Sequence, residues 1–180
     1  NIILKMIRDI FKISLFFIFI SSHVIAENND TTRFLDINYL MQNSLAGKSM
    51  ISQLNAITKS NQKIITEEAE KLKSEEKKIV AQKNVISEKE FQANISKLQS
   101  KVLKFKKNRN KLITDFNQKK INAEAQLLSQ LSTILSEYLE KNNISFVLQK
   151  KNILMGKSEL DITKEVVKIF DKKIKKVNIK

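Results

Sequence analysis

The chain has 180 residues, a net charge of +14, no cysteine, no proline and only two glycines. An average chain of this length carries about 9 prolines and 12 glycines, so tight turns are few and long helices are favoured. Disulfides are excluded, and the basic excess favours anionic partners such as nucleic acid, anionic lipid or acidic protein.

The N-terminal segment is typical of a secretory signal peptide. Lys5, Arg8 and Lys12 precede the apolar run ISLFFIFI at residues 13–20, and SSHVIA follows. This order of basic, apolar and small residues predicts a signal peptide over residues 1–26 and export of the remaining chain. An uncleaved anchor is the alternative, although the apolar run is short for a membrane span.

A short strand and one long helix open the exported part. Residues 27–39 are assigned to the first strand of a β body because apolar and polar residues alternate in RFLDINYL, with a helix start as the competing interpretation. Residues 40–81 are predicted to form one helix, since apolar side chains recur every seven positions as a narrow seam. The seam comprises Ile51, Thr58, Ile65, Leu72 and Ile79.

A second long helix follows after a reversal. Residues 82–88 form the predicted tip, where Ser87 and Glu90 match a capping box. Residues 40–140 are therefore predicted to form an antiparallel helical hairpin, which brings both chain ends back to one place. The second seam follows two heptad phases: Phe91, Leu98, Phe105 and Leu112, and Ile95, Val102 and Phe116.

Residues 141–180 close the body. An alternating segment from Ile144 predicts a second strand, Ile153 and Met155 a third, and Asp161 caps a C-terminal helix. The predicted fold class is mostly α with a small β body, from which the long coiled-coil arm extends. So small a core calls for oligomerisation, through strands pooled from several chains. The predicted shared apolar layer comprises Leu35, Ile37, Phe146, Leu148, Ile153 and Met155.

The exported sequence offers no catalytic constellation. His23, the single histidine, lies in the signal peptide, and no pattern of a phosphate loop or a calcium loop occurs. We therefore predict a protein that is not an enzyme and that uses no metal or other cofactor.

The positive feature is the second arm helix, where residues 88–120 carry ten Lys or Arg against three acidic residues. Solubility is the simpler interpretation. A basic arm with apolar residues near its tip also suits weak, distributed contacts with acidic, partly apolar, non-native chains. The predicted contact residues are Val80, Val85, Ile86, Phe91, Lys101, Lys104, Lys106 and Lys107.

Three segments together resemble the Skp/OmpH family of periplasmic chaperones. They are FLDINYLMQNSLAGKSMISQL, QKNVISEKEFQANISKLQSKV and ISFVLQKKNILMGKSELDITKEVVKIF, in this order behind a signal peptide. The resemblance implies a homotrimer in which three helical hairpins extend from a β body and enclose a cavity. It also implies a periplasmic, ATP-independent holdase for unfolded outer-membrane proteins.

Two other functions remain open at this point. One is a structural coiled-coil adaptor of an envelope complex, and the other is a nucleic-acid-binding coiled coil, which the charge favours and the signal peptide opposes. The sequence leaves open the identity of the clients, the arm face that lines the cavity, and whether anionic lipid or lipopolysaccharide is a further partner.

Overall fold

The computed structural model describes residues 31–179, so the predicted signal peptide at residues 1–26 lies outside the described part. Within residues 31–179, two strands and four α-helices follow one another, with short 3₁₀ turns at Lys150–Asn152 and Ser158–Leu160. In chain order the elements are β1 (Thr31–Leu35), α1 (Ile37–Asn43), α2 (Leu45–Ala81), α3 (Glu88–Lys141), β2 (Ile144–Gln149) and α4 (Thr163–Lys173). No helix within residues 31–179 is long and apolar enough to cross a membrane.

The first strand ends earlier than the sequence predicts, and Ile37 lies on a helix instead of a strand. Asp36 causes the change, because its carboxylate accepts a hydrogen bond from the Tyr39 N–H at 2.9 Å and caps α1. The backbone N–H of Asp36 donates to the Thr163 hydroxyl at 2.9 Å, which ties this junction to α4. Both interpretations of the opening segment are therefore correct in part: a strand runs to Leu35 and a helix begins at once.

The single helix predicted for residues 40–81 is broken at Ser44. Ser44 is fully buried and extended, and its hydroxyl accepts from the Gly47 N–H at 3.0 Å, so it caps α2 from inside what was expected to be one helix. Gly47 allows the two helices to pack closely, since a Cβ there would lie 2.0 Å from the carbonyl oxygen of Met41. The break sets the direction in which α2 leaves the body.

The long helices α2 and α3 are joined by residues 82–87 and lie side by side. Ser87 and Glu90 form the predicted capping box at the start of α3. Near this reversal the Glu75 carboxylate lies 2.6 Å from the Lys101 ammonium, and further from it Ile65 borders the same small cavity as Leu112. These contacts join the two long helices at separate points along the arm.

The sheet has two parallel strands, and the predicted third strand is absent from residues 31–179. A bulge lies where Thr31 pairs with Ile144 and Thr32 pairs with Phe146. The extra residue exchanges the two faces of β2, because side chains alternate along a strand. Ile144 and Val147 face the core, and Phe146 lies on the opposite face.

Residues 153–155 do not pair with the sheet, because residues 161 and 162 contact the free edge of β1 instead. Phe34 forms an isolated parallel bridge with Asp161, and its carbonyl oxygen accepts from the Ile162 N–H at 3.0 Å. The segment after β2 instead passes over Phe34, where Gly156 leaves room for the ring.

The core lies in the body, at the end of the long helices remote from the tip. Its members come from β1, all four helices, β2 and the segment after α4. The completely buried large side chains include Leu35, Leu40, Leu127, Val166 and Phe170. Burial of each such side chain stabilises the fold by about 1.5–3 kcal/mol.

Candidate binding site on the helical arm

An open apolar groove of about 650 Å³ lies between α2 and α3 in the middle of the arm. We call it the arm groove. Its apolar walls come from Ala69 and Leu72 on α2 and from a run of larger side chains on α3. Those side chains are Leu98, Val102, Leu103 and Phe105.

The arm groove exists because the seam is narrow. Among residues 55–122 only Ile79 is buried, whereas Leu72, Val102 and Phe105 are half-buried although they belong to the predicted seam. Ala69 is too small to fill the space opposite α3, and a two-helix interface has no third element to cover it. Apolar surface therefore remains open to solvent along the arm.

Lysines border the arm groove. Lys73, Glu76 and Lys106 line its edge, and the Glu75–Lys101 ion pair joins the two helices nearby. Of the lysines proposed for capture, Lys101 is thus engaged in an interhelical pair, whereas Lys106 and the exposed Lys104 and Lys107 project from α3. The groove combines an apolar floor with a mainly positive rim.

The tip residues separate into two kinds. Val80 and Val85 are exposed, with 81% of Val85 accessible, as an apolar contact surface requires. Ile86 and Phe91 are half-buried. Val80 lies in the last turn of α2 and Val85 on the reversal, both beyond the arm groove, so the predicted contact residues do not form a single patch.

The residues predicted for the shared apolar layer of the body also differ in burial. Leu35 is buried in the core, and Ile37 packs against it. Phe146 and Leu148 are exposed on the opposite face of the sheet, and Met155 beyond them is 84% exposed. Ile153 is half-buried. Its side chain lies near the position that a Cβ at residue 156 would occupy, beside the ring of Phe34.

The sequence interpretation missed two features of these surfaces. Leu103 is 67% exposed and lines the arm groove, yet it was assigned no role. Its heptad position could have indicated this exposure. Leu103 belongs to neither phase of the seam, so the seam does not explain an apolar residue there. Phe34 was also missed: it is buried on the outward face of the sheet, next to Leu148 in the strand register.

Two hydrogen-bonded groups fix the body from which the arm extends. Burial raises the pKa of Tyr138 to about 12, helped by Glu165, whose carboxylate accepts from the Tyr138 hydroxyl at 2.7 Å. Burial tends to raise the pKa of Asp161 as well, but hydrogen bonds from Lys150 and Thr163 outweigh it and lower that pKa. Asp161 thereby joins the start of α4 to the turn after β2.

Known proteins resemble this chain in sequence and in fold. The family described as "Outer membrane protein (OmpH-like)" matches residues 32–170. A solved structure of a proposed outer membrane chaperone (OmpH-like) from Caulobacter crescentus is similar, with a TM-score of 0.77 and 20% identity over 82% of this chain and 87% of that chain. No curated protein sequence matches the chain.

Proposed function

Because the chain belongs to the OmpH-like family of outer membrane proteins, we propose that it is a periplasmic holdase chaperone for unfolded outer-membrane proteins. It keeps these clients soluble before membrane insertion and uses no ATP. Export by the predicted signal peptide at residues 1–26 brings it to the compartment through which such clients pass.

The observation that carries this proposal is the arm groove with its lysine border. A holdase has to bind chains that have no fixed shape, so its contacts are weak, numerous and tolerant of geometry. Half-buried apolar residues along two helices provide such contacts, and exposed lysines provide a long-range field that attracts acidic chains. Neither requires a preformed complement on the client.

The body supports assembly into a homotrimer. Within residues 31–179 its sheet has only two strands, and isolated pairs of strands are only marginally stable. On the outward face, Phe146, Leu148 and Met155 expose apolar surface that self-association would cover. In such a trimer three antiparallel hairpin arms extend from one body and enclose the space in which the client is held.

Capture then has two separable contributions. The basic field raises the association rate and weakens with salt, because the Debye length shrinks from about 10 Å at 0.1 M to about 3 Å at 1 M ionic strength. Apolar contacts in the arm groove and at Val80 and Val85 persist in high salt. We therefore expect capture of an acidic unfolded β-barrel precursor to slow as salt rises, with some binding remaining in 1 M salt.

The charge contribution is tested by replacing four lysines of α3 by Gln. The association rate of a labelled precursor at low salt should fall by about tenfold, because steering by the arm is lost. The variant carries Lys101→Gln, Lys104→Gln, Lys106→Gln and Lys107→Gln. A matched control removes the same charge from exposed positions of the body: Lys151→Gln, Lys164→Gln, Lys168→Gln and Lys172→Gln.

Equal rates for the arm variant and the body control would reject the basic stretch of α3 as the capture surface. The apolar contribution is tested in 1 M salt with Leu103→Gln, which should release the precursor faster than Ile121→Gln, an exposed position on the same helix. A protein that captures no unfolded precursor and binds one folded partner through Val80 and Val85 would instead be the structural adaptor.

A further inference from the structure

The segment after α4, residues 174–179, lies across the base of the arm, and we call it the tail strap. It leaves α4 in an extended conformation at Ile174. Val177 is 1% exposed and belongs to the core, Asn178 is exposed, and Ile179 packs partly against the core. This in-out-in alternation is that of a strand, although the segment pairs with no strand.

Gln53 of α2 takes the place of the missing neighbour. Its side-chain N–H donates to the carbonyl oxygen of Val177 at 2.6 Å, and its side-chain oxygen accepts from the N–H of Ile179 at 3.3 Å. A residue in a parallel strand makes the same pair of bonds, to the residues on either side of its partner. The carboxamide of Gln53 thus mimics a peptide unit opposite Asn178.

The tail strap also contacts α3. Asn178 and Ile179 border a crevice of about 440 Å³ together with Lys119 and Ala123. The strap is therefore hydrogen-bonded to one arm helix and packed beside the other. Its position is the boundary at which burial ends: Leu54 on α2 and Ala123 on α3 are the last buried residues before the half-buried seam.

We propose that the tail strap clamps α2 and α3 together at the base of the arm and sets the point from which the arm bends. With the strap in place, the first turns of the arm beyond Leu54 and Ala123 are held together, and the arm flexes nearer the tip. With the strap released, the flexible part extends into the first turns of the arm, while the body keeps its fold. The proposal stands apart from the proposed function, because it concerns the motion of the protein without any client.

Hydrogen exchange of the full protein, followed by mass spectrometry, tests the clamp. Val177→Ala removes the buried side chain. Gln53→Leu removes both hydrogen bonds to the tail strap, together with those to Ser49 of the same helix, while keeping a good helix former. In each variant, amides of residues 55–66 and 111–122 should exchange about tenfold faster, whereas β1, β2 and α4 should keep their protection.

Two controls separate the clamp from general destabilisation. Asn178→Ala changes an exposed tail residue, and Gln62→Leu removes a glutamine whose side chain donates only to Thr66 of its own helix. Both should leave exchange at residues 55–66 and 111–122 unchanged. Unchanged exchange in Gln53→Leu, faster exchange spread over the whole body, or an equal effect of the controls would each overturn the proposal.

Discussion

The two halves of α3 bury apolar stripes of the same kind to very different extents. Towards its C-terminus the helix buries Ala123, Leu127, Leu131, Ile134 and Tyr138, whereas its N-terminal half buries no residue. In the body, α3 is covered by α4, β2 and the tail strap; in the arm it meets only α2. Burial of a heptad stripe is therefore decided by the number of partners and not by the stripe.

This difference gives the two regions different stabilities. A fully buried core resists local opening up to the free energy of global unfolding, whereas a half-buried two-helix seam opens at lower cost. The body suits a fixed platform for assembly, and the arm suits a surface that adapts to its ligand. Four pairs of substitutions test the comparison. Three of them place one member in the body and one in the arm, and the two glycines compare positions within the body.

The largest contrast is expected for phenylalanine truncation. Phe170→Ala in α4 removes a completely buried ring and should lower the free energy of unfolding by about 3–5 kcal/mol. Phe105→Ala in the arm groove removes a half-buried ring and should cost a small fraction of that value. Chemical denaturation of both variants measures the contrast, and equal losses would show that the arm is as well packed as the body.

The next largest difference in stability is expected between alanine substitutions at the two glycines. A Cβ at residue 47 would lie 2.0 Å from the Met41 carbonyl oxygen, a backbone atom, so Gly47→Ala should destabilise by about 1–3 kcal/mol. At residue 156 the nearest atom would be Phe34 Cε1 at 3.0 Å, and this side chain has more freedom to shift. Gly156→Ala should therefore have the smaller effect in thermal melts, and the reverse order would contradict the importance of the break at Ser44.

Asp161 should make the body sensitive to acid. Its pKa is lowered in the folded state, so its stabilising contribution is present above its usual pKa of 3.8 and is lost as the pH falls through the folded value. Asp161→Asn should lower stability by about 1.5–3 kcal/mol at pH 7 and flatten the dependence of stability on pH below about 4. Denaturation at several pH values measures both effects.

The matched control in the arm is Asp115→Asn. Asp115 forms an exposed i,i+4 pair with Lys111 at 2.8 Å, and such pairs contribute only about 0.3–0.5 kcal/mol. A pH profile of Asp115→Asn that is as flat as that of Asp161→Asn would mean that the loss reflects the general charge of the protein.

The smallest effect concerns interhelical ion pairs, which occur in both regions. Glu75 and Lys101 join the arm helices at 2.6 Å, and Glu137 pairs with Lys173 across α3 and α4 in the body. All four side chains are substantially exposed, so double-mutant cycles should give about 0.2–1 kcal/mol for either pair, less in high salt. A coupling several times larger in the body would show that ion pairs, and not burial, separate the two regions.

The outlines of the molecule could be predicted from local sequence signals. Heptad spacing predicts two long helices, and the contact between Ser87 and Glu90 lies within one turn, so the start of α3 follows from sequence. Asp36 is a similar case, because a cap needs only its own neighbours. The exposed lysines of α3 were likewise predictable, since charged side chains stay in solvent unless they are paired.

The arm groove could be predicted only in part. Its seam residues Leu72, Val102 and Phe105 follow from the heptads, but whether a seam closes depends on the side chains opposite. Ala69 leaves the space open there, and Leu103 borders it from a position outside the seam. Pairing of specific positions across two helices is not encoded in the periodicity of either one.

Sequence by itself determined that two long helices form, that Ser87 and Glu90 cap the second one and where the positive charge lies, because these properties depend on residues within one or two turns of each other. Tertiary structure alone decided the bulge that turns Phe146 outwards, the bridge from Phe34 to Asp161 that replaces a third strand, and the burial of Val177 of the tail strap beside Gln53. Each of these joins residues more than a hundred positions apart, and such contacts depend on which surfaces the folded body leaves free.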